Sequence, residues 1–425
     1  MNNYNKITLE NGLRIITVPM ASTETATVLV LVGTGSKYET KKISGISHFL
    51  EHMFFKGTKK RPNTLAIAET LDRIGGEYNA FTSQEYTGYW AKVKASHLDI
   101  ALDWVSDIFL NSELRAEDIE KERGVILEEL NMYLDTPVSY IGELWAELLY
   151  GNQPAGWAVI GNKQAIKSFK KAQFINYFNK HYSAKNTLVV IAGKIDSEAI
   201  IEKIKKHFSS INFVKPQEKI KVKEKQTKPQ SLIHFKKTDQ THLYLGARAY
   251  DLFHPDRYAL GILSTILGGY MSSRIWQAVR WQEGLSYYVS TGSSLDTDCG
   301  YLATRAGVDN KRVLRAIEII LNEYKKIRDN KVSPDELNKA KENIKGSTAL
   351  EMESSDAQAS FYASQELLAQ KIETLEQKFQ KIDAVTAEDI QKVAKDIFQP
   401  KKLNLALIGS FKNKKPFDKL INSIL

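Results

Sequence analysis

The sequence predicts an α+β fold of two homologous domains from an internal duplication, each a mainly antiparallel sheet covered by helices. Three observations predict it. At 425 residues the chain is too long for one ordinary core. The order of patterned segments restarts after a charged stretch near the middle. Two pairs of segments also match across that stretch. Residues 68–76 (Ala-Glu-Thr-Leu-Asp-Arg-Ile-Gly-Gly) and 276–284 (Trp-Gln-Ala-Val-Arg-Trp-Gln-Glu-Gly) each precede a strand pair. Residues 178–193, ending Thr-Leu-Val-Val-Ile-Ala-Gly, parallel residues 394–409, ending Leu-Asn-Leu-Ala-Leu-Ile-Gly. The expected division is 1–213, a charged linker at 214–230, and 231–425.

In the first half, two apolar-alternating runs between Ile7 and Pro19 flank Asn11-Gly12, a tight-turn signal, and read as a hairpin. Ala26 to Val32 is a β-branched run, a buried strand. A helix follows over about Ser44 to Lys56 and stops at Gly57, which tolerates left-handed backbone. Thr64 caps a second helix that ends at Gly75-Gly76. Glu77 to Ser83 and Thr87 to Ala95 read as paired strands, Ser96 to Leu110 and Ala116 to Leu134 as amphipathic helices, and Thr187 to Ala192 as a strand. Val214 to Gln230 is rich in Lys, Glu, Gln and Pro and reads as a solvated connector. The second half repeats the scheme: a strand at Leu243 to Ala249, helices at Arg257 to Leu267 and Ser272 to Gln282, strands at Leu285 to Ser293 and Tyr301 to Arg305, several helices, and a strand at Leu403 to Leu407.

Composition narrows the function. Hydrophobic content of 43% with 26% charged residues describes a soluble globular chain. The net charge of +9 is spread along the whole length in mixed-sign stretches, which argues against nucleic acid as a partner. One cysteine, Cys299, excludes an internal disulfide and fits a reducing compartment; it reads as a small buried residue. No apolar run reaches membrane-span length, and the first six residues carry no apolar signal stretch. A cytoplasmic location away from membranes is the expectation.

The chemistry centres on Gly45 to Gly57, which contains His48-Phe49-Leu50-Glu51-His52. On a helix, His48 and His52 stand one turn apart on one face and can hold one metal ion, with Glu51 beside them as a proton acceptor. The order His-x-x-Glu-His is the inverted zincin motif. Five residues alone also arise as an ordinary helix with surface charges, so a third ligand is needed. Glu122 and Glu129 lie seven apart, two turns along one face of a later helix. Such a pair can supply one ligand and one carboxylate that orients a ligating histidine. Glu128 is an alternative neighbour. The second half has no His, Asp or Glu between Tyr258 and Gly269, where the motif would recur, so only the first half is expected to bind metal.

With these motifs the chain resembles the pitrilysin/insulinase family of zinc metallopeptidases. It is similar in size to the subunits of the mitochondrial processing peptidase and their bacterial relatives. In that family about 76 residues separate the motif from a ligand Glu followed by an aliphatic residue; here 76 residues separate His52 from Glu129, which precedes Leu130. The resemblance implies Zn2+ held by His48, His52 and Glu129, with Glu51 as general base and Glu122 as the family's further acidic catalytic residue. It implies that Asn79, Ala80, Phe81, Thr82 and Ser83 form an edge strand that pairs with an extended substrate. It further implies that Arg280 and Tyr287, in Arg280-Trp281-Gln282-Glu283-Gly284-Leu285-Ser286-Tyr287, grip the substrate backbone near the scissile bond. The implied partners are peptide substrates and a second half-sized chain, as a homodimer or as a heterodimer with a related subunit. Removal of presequences by such a heterodimer, and a non-catalytic structural role of the same fold, are the alternatives; the intact motif speaks against the latter.

Overall fold

A computed structural model describes residues 4–423. Contacts group them into two compact units: one of residues up to Asn131, Trp157–Ile220 and Ala349–Glu373, the other of Met132–Gly156, Lys221–Thr348 and everything from Thr374 on.

The first unit holds a six-stranded sheet of β1 (Asn5–Thr8), β2 (Arg14–Pro19), β3 (Thr25–Val32), β4 (Glu77–Thr82), β5 (Thr87–Lys94) and β6 (Thr187–Gly193), in the order β1-β2-β6-β3-β5-β4. Only β2 and β6 run parallel. The second unit holds β7 (Gln230–Phe235), β8 (Gln240–Arg248), β9 (Ser286–Leu295), β10 (Gly300–Asp309) and β11 (Leu403–Gly409), in the order β7-β11-β8-β10-β9, with β7 and β11 parallel. Apart from β1, the two sheets have one topology: the parallel pair sits at the same place, and β4 and β9 are corresponding edges. The duplicated α+β fold read from the repeats is the fold observed.

Local signals explain the elements. Gly12 takes the left-handed conformation (φ +86°) between β1 and β2, and the Asn11 side chain accepts the Leu13 N–H at 3.0 Å. The helix Thr64–Asp72 begins one residue earlier than expected: its cap is Asn63, whose side chain accepts the Ala66 N–H at 2.9 Å, and Thr64 is the first helical residue. The expected helix at Ser272 to Gln282 begins at Arg274 and winds as a π-helix over Trp276–Gln282.

The expected division of the chain at 214–230 is not how its residues pack. β3, β6 and β11 are buried along almost their whole length, so each sheet needs cover on both faces. In the first unit one face packs under the helices Ile46–Met53, Thr64–Asp72 and Leu98–Asn111. The other face, with Ile16, Val18, Leu29, Leu31, Leu188 and Val190, packs under a helix from late in the chain, Ser355–Ser364. Ser355, Ala359 and Ala363 lie one turn apart, and these small side chains let that helix lie close; the Ser355 hydroxyl meets Thr27 Oγ1 at 2.8 Å. In the second unit the corresponding cover comes from early in the chain: the helix Pro137–Tyr150 sets Ile141, Leu144, Trp145 and Leu149 against Ala406 and Ile408 of β11. Each buried aliphatic side chain of this kind is worth roughly 1.5–3 kcal/mol, so the exchange decides which segments fold together.

The connector is irregular as expected, but it is pinned along its course. In the second unit the Val222 N–H donates to Asp298 at 3.0 Å, the Lys223 N–H to Gln153 at 2.8 Å, and Gln226 Nε2 to the Leu403 carbonyl at 2.9 Å. Among the described residues no helix is long and apolar enough to cross a membrane.

Candidate functional site

The motif helix, Ile46–Met53, is short and enters from Gly45, which has no side chain to cap it. Gly45 is left-handed (φ +96°), and a Cβ there would lie 2.4 Å from the Ile160 carbonyl oxygen, so two constraints demand glycine. Capping comes instead from Glu39, 1% exposed, whose two carboxylate oxygens accept the Gly45 N–H at 2.7 Å and the Ser47 N–H at 2.8 Å. This satisfies donors that a helix start leaves unpaired. Burial nevertheless pushes the Glu39 carboxyl up to about 8. Behind it, Ser47 Oγ and Thr34 Oγ1 each meet the Tyr177 hydroxyl at 2.8 Å, which fixes the helix from its buried side. Ile46, Phe49, Leu50 and Met53 fill the core, so His48, Glu51 and His52 face the other way.

His48 and His52 lie one turn apart with ring centroids 4.6 Å apart. Glu129 reaches them from the helix Ala116–Asp135, with its oxygens 3.7 Å from His48 Nε2 and 3.5 Å from His52 Nε2. These separations are too long for hydrogen bonds. They suit ligands of one ion, because tetrahedral bonds of about 2.05 Å place neighbouring ligand atoms roughly 3.3 Å apart. Among the described residues, this is the one group of three or more such side chains whose ligand atoms converge, all within 4.8 Å of one another. Burial, reinforced by the neighbouring His52, pulls His48 down to about 3, so it is a neutral imidazole with a lone pair to give. The two-imidazole, one-carboxylate donor set fits a divalent ion such as zinc.

Glu122 accepts from His52 Nδ1 at 2.8 Å and from Lys56 Nζ at 2.6 Å. Burial alone would raise this carboxyl, but the His52 and Lys56 bonds outweigh it and hold it below its usual value. With its Nδ1–H committed to a carboxylate, His52 presents Nε2 as an acceptor. Such outer partners typically tune metal affinity 10- to 100-fold. His48 has no such partner: its Nδ1 is buried and unpaired among the described residues. Glu128 is exposed and lies off this face, whereas Glu129 is half-buried within it.

Glu51 is half-buried, and burial raises its carboxyl while a hydrogen bond from Thr82 opposes the rise. In that bond the Thr82 hydroxyl donates to Glu51 Oε2 at 2.6 Å. Thr82 ends β4, the outer strand of the first sheet. The Ser83 N–H bonds the Tyr86 carbonyl at 2.8 Å and sets the phase of the β4–β5 ladder. Alternation then turns the main-chain groups of Asn79 and Phe81 toward β5 and those of Ala80 and Thr82 outward. The Asn79 side chain accepts the Ala80 N–H at 2.8 Å, so that outward donor is already engaged. Ser83 is already used: its carbonyl accepts the Ser36 N–H and its hydroxyl donates to the Tyr86 carbonyl, so it closes the hairpin and is not part of an open edge. Lys56 and the Thr82–Glu51 bond escaped the sequence reading, because neither residue stands at motif spacing.

Arg280 and Tyr287 belong to the second unit and are brought together there. Arg280 Nη1 donates to the Tyr287 carbonyl, and the guanidinium lies 5.5 Å from the Trp276 ring centroid and 5.9 Å from that of Tyr287. The Tyr287 side chain is 77% exposed.

Residues 14–163 match the family model described as insulinase (peptidase family M16), and residues 168–344 match that of the peptidase M16 inactive domain. The chain is 35% identical to the uncharacterized zinc protease YmxG of Bacillus subtilis over 92% of this chain and 95% of that protein. It is 32% identical to an uncharacterized zinc protease of Streptomyces coelicolor over 96% and 90% of the two chains. Its fold is similar to that of a protease from Helicobacter pylori (TM-score 0.89, 24% identity, 96% and 99% of the chains). It is also similar in fold to a peptidase M16 inactive domain from Pseudomonas fluorescens (TM-score 0.88, 18% identity, 97% and 100%).

Proposed function

The chain belongs to the insulinase family, peptidase family M16, and from that premise we propose that it is a zinc-dependent endopeptidase acting on extended peptides or unfolded segments. The observation that carries the proposal is the convergence of His48, His52 and Glu129 beside a half-buried Glu51. In this reading the three side chains hold the ion, and Glu122, steadied by Lys56, holds His52 in the ligating tautomer. Bound there, zinc supplies the Lewis acidity that polarises a peptide carbonyl and makes water a nucleophile near neutral pH. Glu51 is the general base: with Oε2 held by Thr82, Oε1 takes the proton of the attacking water and passes it to the leaving amine. The Ala80 carbonyl, whose own N–H is engaged by Asn79, and the main chain of Thr82 pair with the substrate backbone, so selectivity for side chains is expected to be loose. Arg280 and Tyr287 are proposed to grip the substrate, with the exposed tyrosine as a donor to it.

The test is cleavage of a mixed peptide library, read by mass spectrometry with and without chelator. Products that vanish on chelation and return with zinc are expected; absence of cleavage by the zinc-loaded protein would refute the reading. In this family two half-sized chains close around a chamber, so we further propose that this chain works as a dimer, either with itself or, as the catalytic subunit beside a related chain, in a heterodimer that removes presequences. Light scattering on the purified chain is expected to report a dimer, and a monodisperse monomer would count against self-assembly.

A further inference from the structure

We infer that Thr82 is a positioning residue that ties occupancy of the sheet edge to the orientation of the Glu51 carboxylate; the inference rests on the peptidase reading above. Thr82 has two separate outlets. Its main-chain groups lie on the outer edge of β4, where an added strand would pair, and its hydroxyl donates to Glu51 Oε2 at 2.6 Å. Tyr78, Ala80 and Thr82 share one face of β4 by the two-residue period of a strand. The Tyr78 ring packs 5.1 Å from that of Trp104, so this face is seated on the core.

The mount is stiff on its inner side. Thr82 pairs with Thr87, whose hydroxyl donates to the Thr34 carbonyl at 2.9 Å. The hairpin just beyond is closed by the Ser83–Tyr86 bonds and tied by the Ser36 N–H to the Ser83 carbonyl. The outer side of β4 has no strand beside it among the described residues, so it is the side on which the backbone can still be immobilised. A peptide pairing there orders the residue that holds the base. Part of the binding energy of a long substrate is thereby realised as orientation at the reacting centre, which raises kcat and not only affinity.

The test compares zinc-loaded wild type, T82S and T82V on two quenched peptides sharing one cleavage site. One is about four residues long; the other, roughly ten residues, spans all of β4. Wild type and T82S are expected to turn over the long peptide with a higher kcat than the short one. T82V, which keeps the β-branched shape and loses the donor, is expected to lose that advantage, with kcat on the long peptide lower by on the order of ten- to a hundredfold. Its zinc content and melting temperature should stay at wild-type values, which separates loss of orientation from loss of fold. A crystal structure of zinc-loaded T82V is a readout free of turnover and should place the Glu51 carboxylate away from its wild-type position. An unchanged Glu51, a retained length advantage in T82V, or T82S as impaired as T82V would each overturn the inference. Wild type that loads zinc and cleaves neither peptide would instead overturn the peptidase reading.

Discussion

Replacing Glu51 with glutamine is expected to remove most turnover while zinc stays bound. Glutamine has nearly the same shape and can still accept the Thr82 hydroxyl through its amide oxygen, so the contact with β4 survives. What it lacks is a basic oxygen to take a proton. General-base catalysis of this kind contributes typically 10²–10⁴-fold, so kcat should fall by about that factor. The ligand atoms of His48, His52 and Glu129 are untouched, and metal content by atomic emission should equal wild type. Equal turnover by the variant would remove Glu51 from the mechanism. Lost zinc would mean that Glu51 holds the ion instead of serving beside it.

Glu129→Ala is expected to empty the site. This carboxylate lies 3.7 Å from His48 and 3.5 Å from His52 and is the third converging donor, brought by the helix Ala116–Asp135. Losing a ligand should weaken zinc binding by more than the roughly 10- to 100-fold cost of losing an outer partner, and activity should fall with occupancy. The control is Glu128→Ala, which removes an exposed carboxylate one residue away and should leave both zinc affinity and turnover unchanged. Competition with a chromophoric chelator measures both variants. Tight zinc binding by Glu129→Ala, or its loss in Glu128→Ala, would reassign the third ligand.

Much of the candidate site was legible because its parts are local. The spacing of His48 and His52 puts them on one face of any helix, and the apolar residues between them decide that this face is the one turned from the core. Glu129 was legible only through a resemblance, since nothing in the residues alone favours it over Glu128 or Glu122. Burial separates them: Glu122 is 5% exposed beside Lys56, Glu128 is exposed, and Glu129 lies between. Thr82 was expected to act through its backbone; its hydroxyl bond to Glu51 depends on how closely β4 passes the motif helix, and no periodicity encodes that distance.

The sequence by itself determined the duplication, the asymmetry between a half with the metal motif and a half without it, and the strand and helix signals. Those are set by residue type and spacing, which act over a few turns of chain. Only the tertiary structure decided that Ser355–Ser364 covers the first sheet and Pro137–Tyr150 the second, because a doubly buried sheet accepts cover from any segment that fits it, however distant in the chain. It also decided which carboxylate faces the histidines and which threonine bonds Glu51, since such contacts follow from packing between segments that no local rule brings together.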